Sequence, residues 1–179
     1  MGLVVVVLYQ ILTHMTDMLT QDLLNELFLI EDGKLIARFD GMNRKAGQVV
    51  GSPSGLDGSW VVFVNGKRYR RSRLIFCMVH GFLPKGQIDH KNRDASDDRP
   101  ENLRIATGSQ NSANQKDRPR KHDLPRGVWM CHGRYQTRVT VKHKPISLGT
   151  YDTPEEAHQA YRAGLKRYFG EFSPYASVE

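Results

Sequence analysis

The chain has 179 residues, 39% of them hydrophobic and 25% charged, which leaves room for one full domain or a few small ones and excludes a fibrous or low-complexity protein. Its net charge of +7 is uneven: residues 1–33 hold no Lys or Arg and five of the 19 acids, which leaves residues 34–179 at +12. That balance suits a polyanionic partner, while Cys77 and Cys131, far apart in sequence, indicate neither a disulfide framework nor a zinc knuckle.

The first twelve residues include V-V-V-V-L-Y-Q-I-L, too short a run to span a bilayer and without the basic lead-in of a signal peptide. Translation is expected to begin at Met15 or Met18, with residues 1–19 an extension. Leu23, Leu24, Leu27 and Phe28 recur at helical spacing, so Thr20–Phe28 is predicted as a short helix capped by Thr20. Lys34–Phe39, Gln48–Val50, Trp60–Val64 and Lys67–Tyr69 read as short strands, and Asn65-Gly66 is a type I′ hairpin signal. Lys67–Arg73 carries five cations in seven residues. Arg68, Arg70, Arg71 and Arg73 are candidate phosphate contacts, or else part of a solvated charged face. Leu74–His80 reads as an apolar helix stopped by Gly81, with Cys77 in the core rather than in a zinc site with His80 and His90.

The densest chemistry lies between Gln87 and Asn114, Q-I-D-H-K-N-R-D-A-S-D-D-R-P-E-N-L-R-I-A-T-G-S-Q-N-S-A-N. Ile88-Asp89-His90 ends a strand and a charged loop follows. Leu103–Ala106 then alternates, with Leu103 and Ile105 on one face. Thr107 with Gln110 fits a capping box and opens a helix. The expected order is strand, long loop, strand, helix, with Asp89, His90, Asn102 and Asn111 at the joints. The acids Asp94, Asp97, Asp98 and Glu101 could be a solvated loop. They make no EF-hand, because no glycine sits mid-loop and no register places glutamate twelfth.

The order D-H-x11-N-x8-N, with R-P-E-N-L before the second strand, resembles the HNH nuclease family. Asn111 in place of a third-position His matches the phage homing endonucleases of that family. The resemblance implies a ββα-metal (His-Me finger) core in which Asp89 and Asn111 hold one divalent ion. It also implies His90 as general base and Asn102 as the residue that fixes the loop and orients His90. The residue types suit those roles. A carboxylate and an amide carbonyl are hard oxygen donors for Mg2+ or Mn2+, and a neutral imidazole can take a proton from water near neutral pH. The strands ahead of the motif resemble, more loosely, the β-rich lead-in of phage nucleases. Ser72-Arg73 stands where relatives often carry His-Arg.

Residues 115–126, Q-K-D-R-P-R-K-H-D-L-P-R, have the composition of a basic linker. Beyond it, Gly127–His132, Arg134–Val141 and Ile146–Thr150 read as three strands. Along the middle one, Arg134, Gln136, Arg138, Thr140 and Lys142 alternate with Tyr135, Thr137, Val139 and Val141. A helix follows with Thr153 as cap, Pro154 at its first position and Glu156 closing a capping box. One sheet face is expected under this helix and the other polar and basic. R-G-V-W, L-G-T-Y-D-T-P-E-E-A and A-Y-x8-G-E-F, across residues 126–173, resemble the Apetala-two/ethylene-response-factor-like DNA-binding domain. That resemblance implies Arg126, Trp129, Arg134, Arg138 and Lys142 as DNA-facing, the arginines reading guanine edges or binding phosphate; Trp129 is equally a candidate packing residue. Gly164, within the helix, and Lys166 depart from the family pattern.

The expected fold class is α+β, with a ββα-metal nuclease core after a small β-rich region and a C-terminal three-stranded antiparallel sheet packed on one helix. The expected domains are an extension (1–19), an HNH nuclease domain (20–114), a basic linker (115–126) and an Apetala-two-like domain (127–175). The expected function is a metal-dependent DNA endonuclease using one Mg2+ or Mn2+ per active site. Double-stranded DNA is the expected partner, with the protein a monomer or DNA-dependent dimer in the cytoplasm (the host's, if phage-encoded). The alternative is a catalytically inactive DNA-binding regulator on the same folds.

Overall fold

The computed structural model describes residues 19–41, 44–55, 57–115 and 124–176. Most of the expected N-terminal extension and most of the expected linker lie outside them. The chain divides into two compact units, Met1–Arg104 and Ile105–Glu179, both mixing helices with small sheets. Among the described residues no helix is long and apolar enough to cross a membrane.

In the first unit, α1 (Gln21–Leu27) starts at the predicted cap, where Thr20 Oγ1 accepts from Leu23 N at 3.2 Å. It passes directly into β1 (Phe28–Glu31), which returns as β2 (Lys34–Ala37) in antiparallel register. The connecting Asp32-Gly33 has positive φ at both residues, 47° and 70°, as a type I′ turn requires. Gly33 also allows a close approach: a Cβ there would lie 2.6 Å from Arg99 N. The expected strand at Gln48–Val50 reduces to an isolated bridge between Val49 and Ile36.

β3 (Ser52–Pro53), β4 (Trp60–Val64) and β5 (Lys67–Arg70) form an antiparallel sheet with β4 central. Its hairpin turns through Asn65-Gly66, with φ 49° and 71°. α2 (Arg71–His80) follows β5 without a loop, so it begins three residues before the predicted Leu74. Leu74, Ile75, Cys77 and Met78 join Leu24, Phe28, Leu35, Val62 and Val64 in one core, where burial pushes the Cys77 thiol up. Gly81 closes the helix in the left-handed region, its N–H donating to Cys77 O at 2.9 Å. β6 (Gln87–His90) and β7 (Leu103–Ala106) make a two-stranded sheet. A 3-10 turn at Pro100–Asn102 feeds β7 and buries Leu103. Ile105, expected on the same face as Leu103, is 41% exposed.

The second unit opens with α3 (Gly108–Asn114), closed at its start by the reciprocal Thr107–Gln110 capping box. β8 (Val128–Cys131), β9 (Arg134–Val141) and β10 (Lys144–Tyr151) form an antiparallel sheet in the order β10-β9-β8. Pro145 is tolerated because β10 is an edge strand. α4 (Pro154–Phe169) carries the second predicted capping box, Thr153 with Glu156. Its Tyr161, Leu165 and Phe169 pack with Val139 of β9 and with Ala113 of α3. By packing, therefore, α3 goes with the C-terminal unit, Ile105–Glu179.

Gly164 lies buried on α4 where a Cβ would come 2.5 Å from Leu148 Cδ1. The glycine lets helix and sheet approach. Gly164→Ala gains about 1 kcal/mol of helix propensity, but overpacking costs about 1–3 kcal/mol, so the variant is expected to melt no higher than wild type. A melting temperature raised by several degrees would show that the space is not needed.

Candidate active site

β6 ends in Asp89 and His90, with Asp89 buried and the His90 side chain 14% exposed. Asp89 Oδ2 accepts from Arg104 Nε at 2.8 Å, a pair set across the β6–β7 sheet. His90 Nε2 lies 2.7 Å from Asp98 Oδ1. The second oxygen of Asp98 accepts from Arg71 Nε, also at 2.7 Å, and both of these side chains are almost wholly buried. Arg71 is held in turn by Ser96 O, 3.0 Å from Nη2, and by the Trp60 ring, whose centroid lies 5.0 Å from Cζ. A relay of four side chains, Trp60, Arg71, Asp98 and His90, thus runs from the β3–β5 sheet to the end of β6.

Asn102, expected to fix the loop and orient His90, bonds to the loop itself. Its Oδ1 accepts from Asn92 N (3.0 Å), and its Nδ2 donates to Asn92 Oδ1 (3.0 Å) and Asp97 O (2.7 Å). These bonds pin both ends of the loop, and Lys91 N donates to Asn102 O at 2.9 Å beside them. The acids of the loop are not simply solvated. Asp94 Oδ1 accepts from Ser96 N and Oγ, Asp98 is buried, and Asp97 binds the Arg99 guanidinium through two 2.8 Å contacts.

Those contacts hold the Asp97 carboxyl at about 2, well below its ordinary 3.8. Since the folded value is the lower one, the pairing stabilises the fold above about pH 4 and is lost as pH falls towards 2. The difference in melting temperature between wild type and Asp97→Asn should therefore be present at pH 6 and vanish near pH 2. It is expected to be small, because Arg99 is half exposed.

Among the described residues no three His, Cys, Asp or Glu side chains converge. The donors expected to hold a cation are instead one carboxylate, Asp89, and one amide, Asn111 on α3. Their hard oxygens suit Mg2+ or Mn2+; at Asp89 such an ion would share the carboxylate with Arg104.

Residues 69–113 match the family model of the HNH endonucleases. The matched stretch contains Asp89, His90, Asn102 and Asn111, together with Arg71 and Asp98. It supports a nuclease, hence a hydrolase acting on nucleic acid. Neither the curated proteins nor the solved structures give a match to the chain.

Ahead of and within the HNH stretch, the cationic run separates into two kinds of arginine. Arg68 donates to Ser54 Oγ (2.6 Å) and Arg70 pairs loosely with Asp57 (3.6 Å); both are exposed. Arg71 is turned inward to Asp98. Arg73 donates Nη1 to Gly86 O (2.7 Å) and Nη2 to Pro84 O. The guanidiniums of Arg71 and Arg73 thus brace the unit itself.

The C-terminal candidates separate in the same way. Arg126 donates to Gln115 O, Ser112 O and Ala113 O at 2.6, 2.7 and 3.1 Å. It satisfies carbonyls left open at the end of α3. Trp129 pairs with Gln136, on the sheet face opposite the buried Thr137 and Val139, and Arg138 Cζ lies 5.1 Å from its ring centroid. It is therefore a residue of the outer face, not of the helix-covered core. Arg134 is exposed and paired with Asp152 at 2.9 Å. Lys142 lies in the β9–β10 turn rather than on the strand, with φ 47°.

Proposed function

We propose that the chain is a metal-dependent DNA endonuclease of the HNH homing type, cutting at a site selected by its C-terminal unit. The observation that carries this is the Asp89-His90 pair at the end of β6, inside the HNH stretch, with the His90 ring gripped by buried Asp98. His90 is the general base, withdrawing the proton from the attacking water. Asn102 keeps the loop in shape around it. Asp89 and Asn111 would hold Mg2+ or Mn2+, an ion that neutralises charge on the scissile phosphate and the leaving oxygen.

Target selection falls to the outer face of the β8–β10 sheet. Exposed Arg134 and Arg138, with Trp129 on the edge strand β8 and Lys142 in the β9–β10 turn, offer the mixture of cation and flat ring that suits a DNA groove. The resemblance of residues 126–173 to the Apetala-two domain in sequence is the reason to read this face as the contact surface. Arg68 and Arg70 remain candidate phosphate contacts in the first unit. Tethering a cutter to a binder raises its local concentration at the target, so neither unit needs high affinity alone. With one catalytic motif per chain, a monomer nicks and a DNA-dependent dimer cuts both strands.

Supercoiled plasmid incubated with the purified chain tests this directly. Nicked circles are expected with Mg2+ or Mn2+ and none after chelation, with activity restored when the cation is returned. A protein that binds duplex DNA yet leaves it intact under either cation is the inactive regulator instead.

A further inference from the structure

We infer that Asp98, not Asn102, is the residue that positions His90 for proton abstraction, and that buried Arg71 positions Asp98. This rests on the nuclease role assigned to His90 above. Asp98 is 2% exposed, and its two oxygens serve two different partners, Arg71 Nε and His90 Nε2, each at 2.7 Å. A carboxylate accepts hydrogen bonds and does not donate them, so His90 Nε2 carries the ring proton. The lone pair of the neutral imidazole is then on Nδ1, and the partner at Nε2 fixes both the tautomer and the plane of the ring.

Asp98 is itself over-determined. Arg71 is locked by Ser96 O and the Trp60 ring, and the Asp98–Arg99 backbone packs so closely on Gly33 that a Cβ there would lie 2.9 Å from Asp98 C. Asn102 makes its side-chain bonds to Asn92 and Asp97, so its influence on the ring passes through the loop.

The test uses the full chain with 15N-labelled histidine, at about pH 8.5, above the ordinary imidazole range. The His90 ring nitrogens are expected to report the Nε2–H tautomer in the wild type. Asp98→Asn keeps the shape but replaces the acceptor pair by one acceptor and one donor. It is expected to lose that tautomer and to lower kcat roughly 10- to 100-fold, with KM for DNA little changed. Arg71→Met breaks the ion pair but leaves the Asp98 carboxylate, so it should keep the tautomer and lose less rate.

An Nδ1–H tautomer in the wild type overturns the assignment, and that spectrum needs no variant to fold. So does an Asp98→Asn protein with wild-type turnover, or an Arg71→Met protein that loses as much rate while keeping the tautomer. A wild type that never cleaves DNA sinks the nuclease role of His90, while its ring spectrum still reports whether Asp98 holds the imidazole.

Discussion

His90→Ala is expected to slow DNA nicking by roughly 10²- to 10⁴-fold, the usual contribution of a positioned general base, while leaving duplex binding unchanged. The variant should still fold, for a reason particular to this site. Removing the imidazole takes one partner from Asp98, but the buried carboxylate keeps the Arg71 guanidinium at 2.7 Å, so no charge is left uncompensated. The loss is then that of one hydrogen bond to a charged group, about 1.5–3 kcal/mol. Nicking rates at saturating Mg2+, gel-shift affinity for duplex DNA and a melting curve separate the three effects. If His90→Ala nicks as fast as wild type, the base is another group and the proposed hydrolytic mechanism fails.

What sequence could reveal depended on how local the cause was. β4 lies where it was predicted, because Trp60–Val64 is β-branched and aromatic and Asn65-Gly66 supplies a turn that few dipeptides make. α4 announces itself through Thr153, Pro154 and Glu156, three closely spaced signals of one helix start. β1 was missed because Leu27-Phe28 satisfies both a helical and a strand pattern. The Asp32-Gly33 turn that decides between them was present in the sequence. The start of α2 at Arg71 was illegible for a deeper reason. Arg71 and Ser72 are polar residues buried in the fold, and the partner that makes burial of Arg71 possible is 27 residues away.

The site divides along the same line. Asp89, His90 and Asn102 stand out by spacing, and two of them end one strand while the third ends the turn that feeds the next. Asp98 does not stand out, since nothing in D-A-S-D-D-R says which acid of Asp94, Asp97 and Asp98 turns inward. Two of the three close local turns or pair on the surface, and only the packed position of Arg71 identifies the other. Likewise a run of cations reads as a nucleic-acid footprint wherever it occurs, yet Arg71, Arg73 and Arg126 each satisfy groups within their own unit.

That distinction yields the largest expected change in stability. Arg71→Ala should destabilise the first unit by about 3–5 kcal/mol, because it strands the Asp98 carboxylate in the interior. The neighbouring Arg70→Ala should cost no more than about 1 kcal/mol, since its contact with Asp57 is long and both side chains are more than half exposed. Two arginines adjacent in sequence thus have effects that differ severalfold. Trp60 lies under the Arg71 guanidinium, so its fluorescence reports this unit during denaturant unfolding, with Trp129→Phe as the background that isolates it. Arg71→Met/Asp98→Leu, which removes both charges, should recover much of the lost stability, because the buried carboxylate rather than the missing guanidinium is the source of the cost. Equal shifts for Arg70→Ala and Arg71→Ala, or no recovery in the double variant, would mean that Asp98 does not depend on Arg71 for its place in the core.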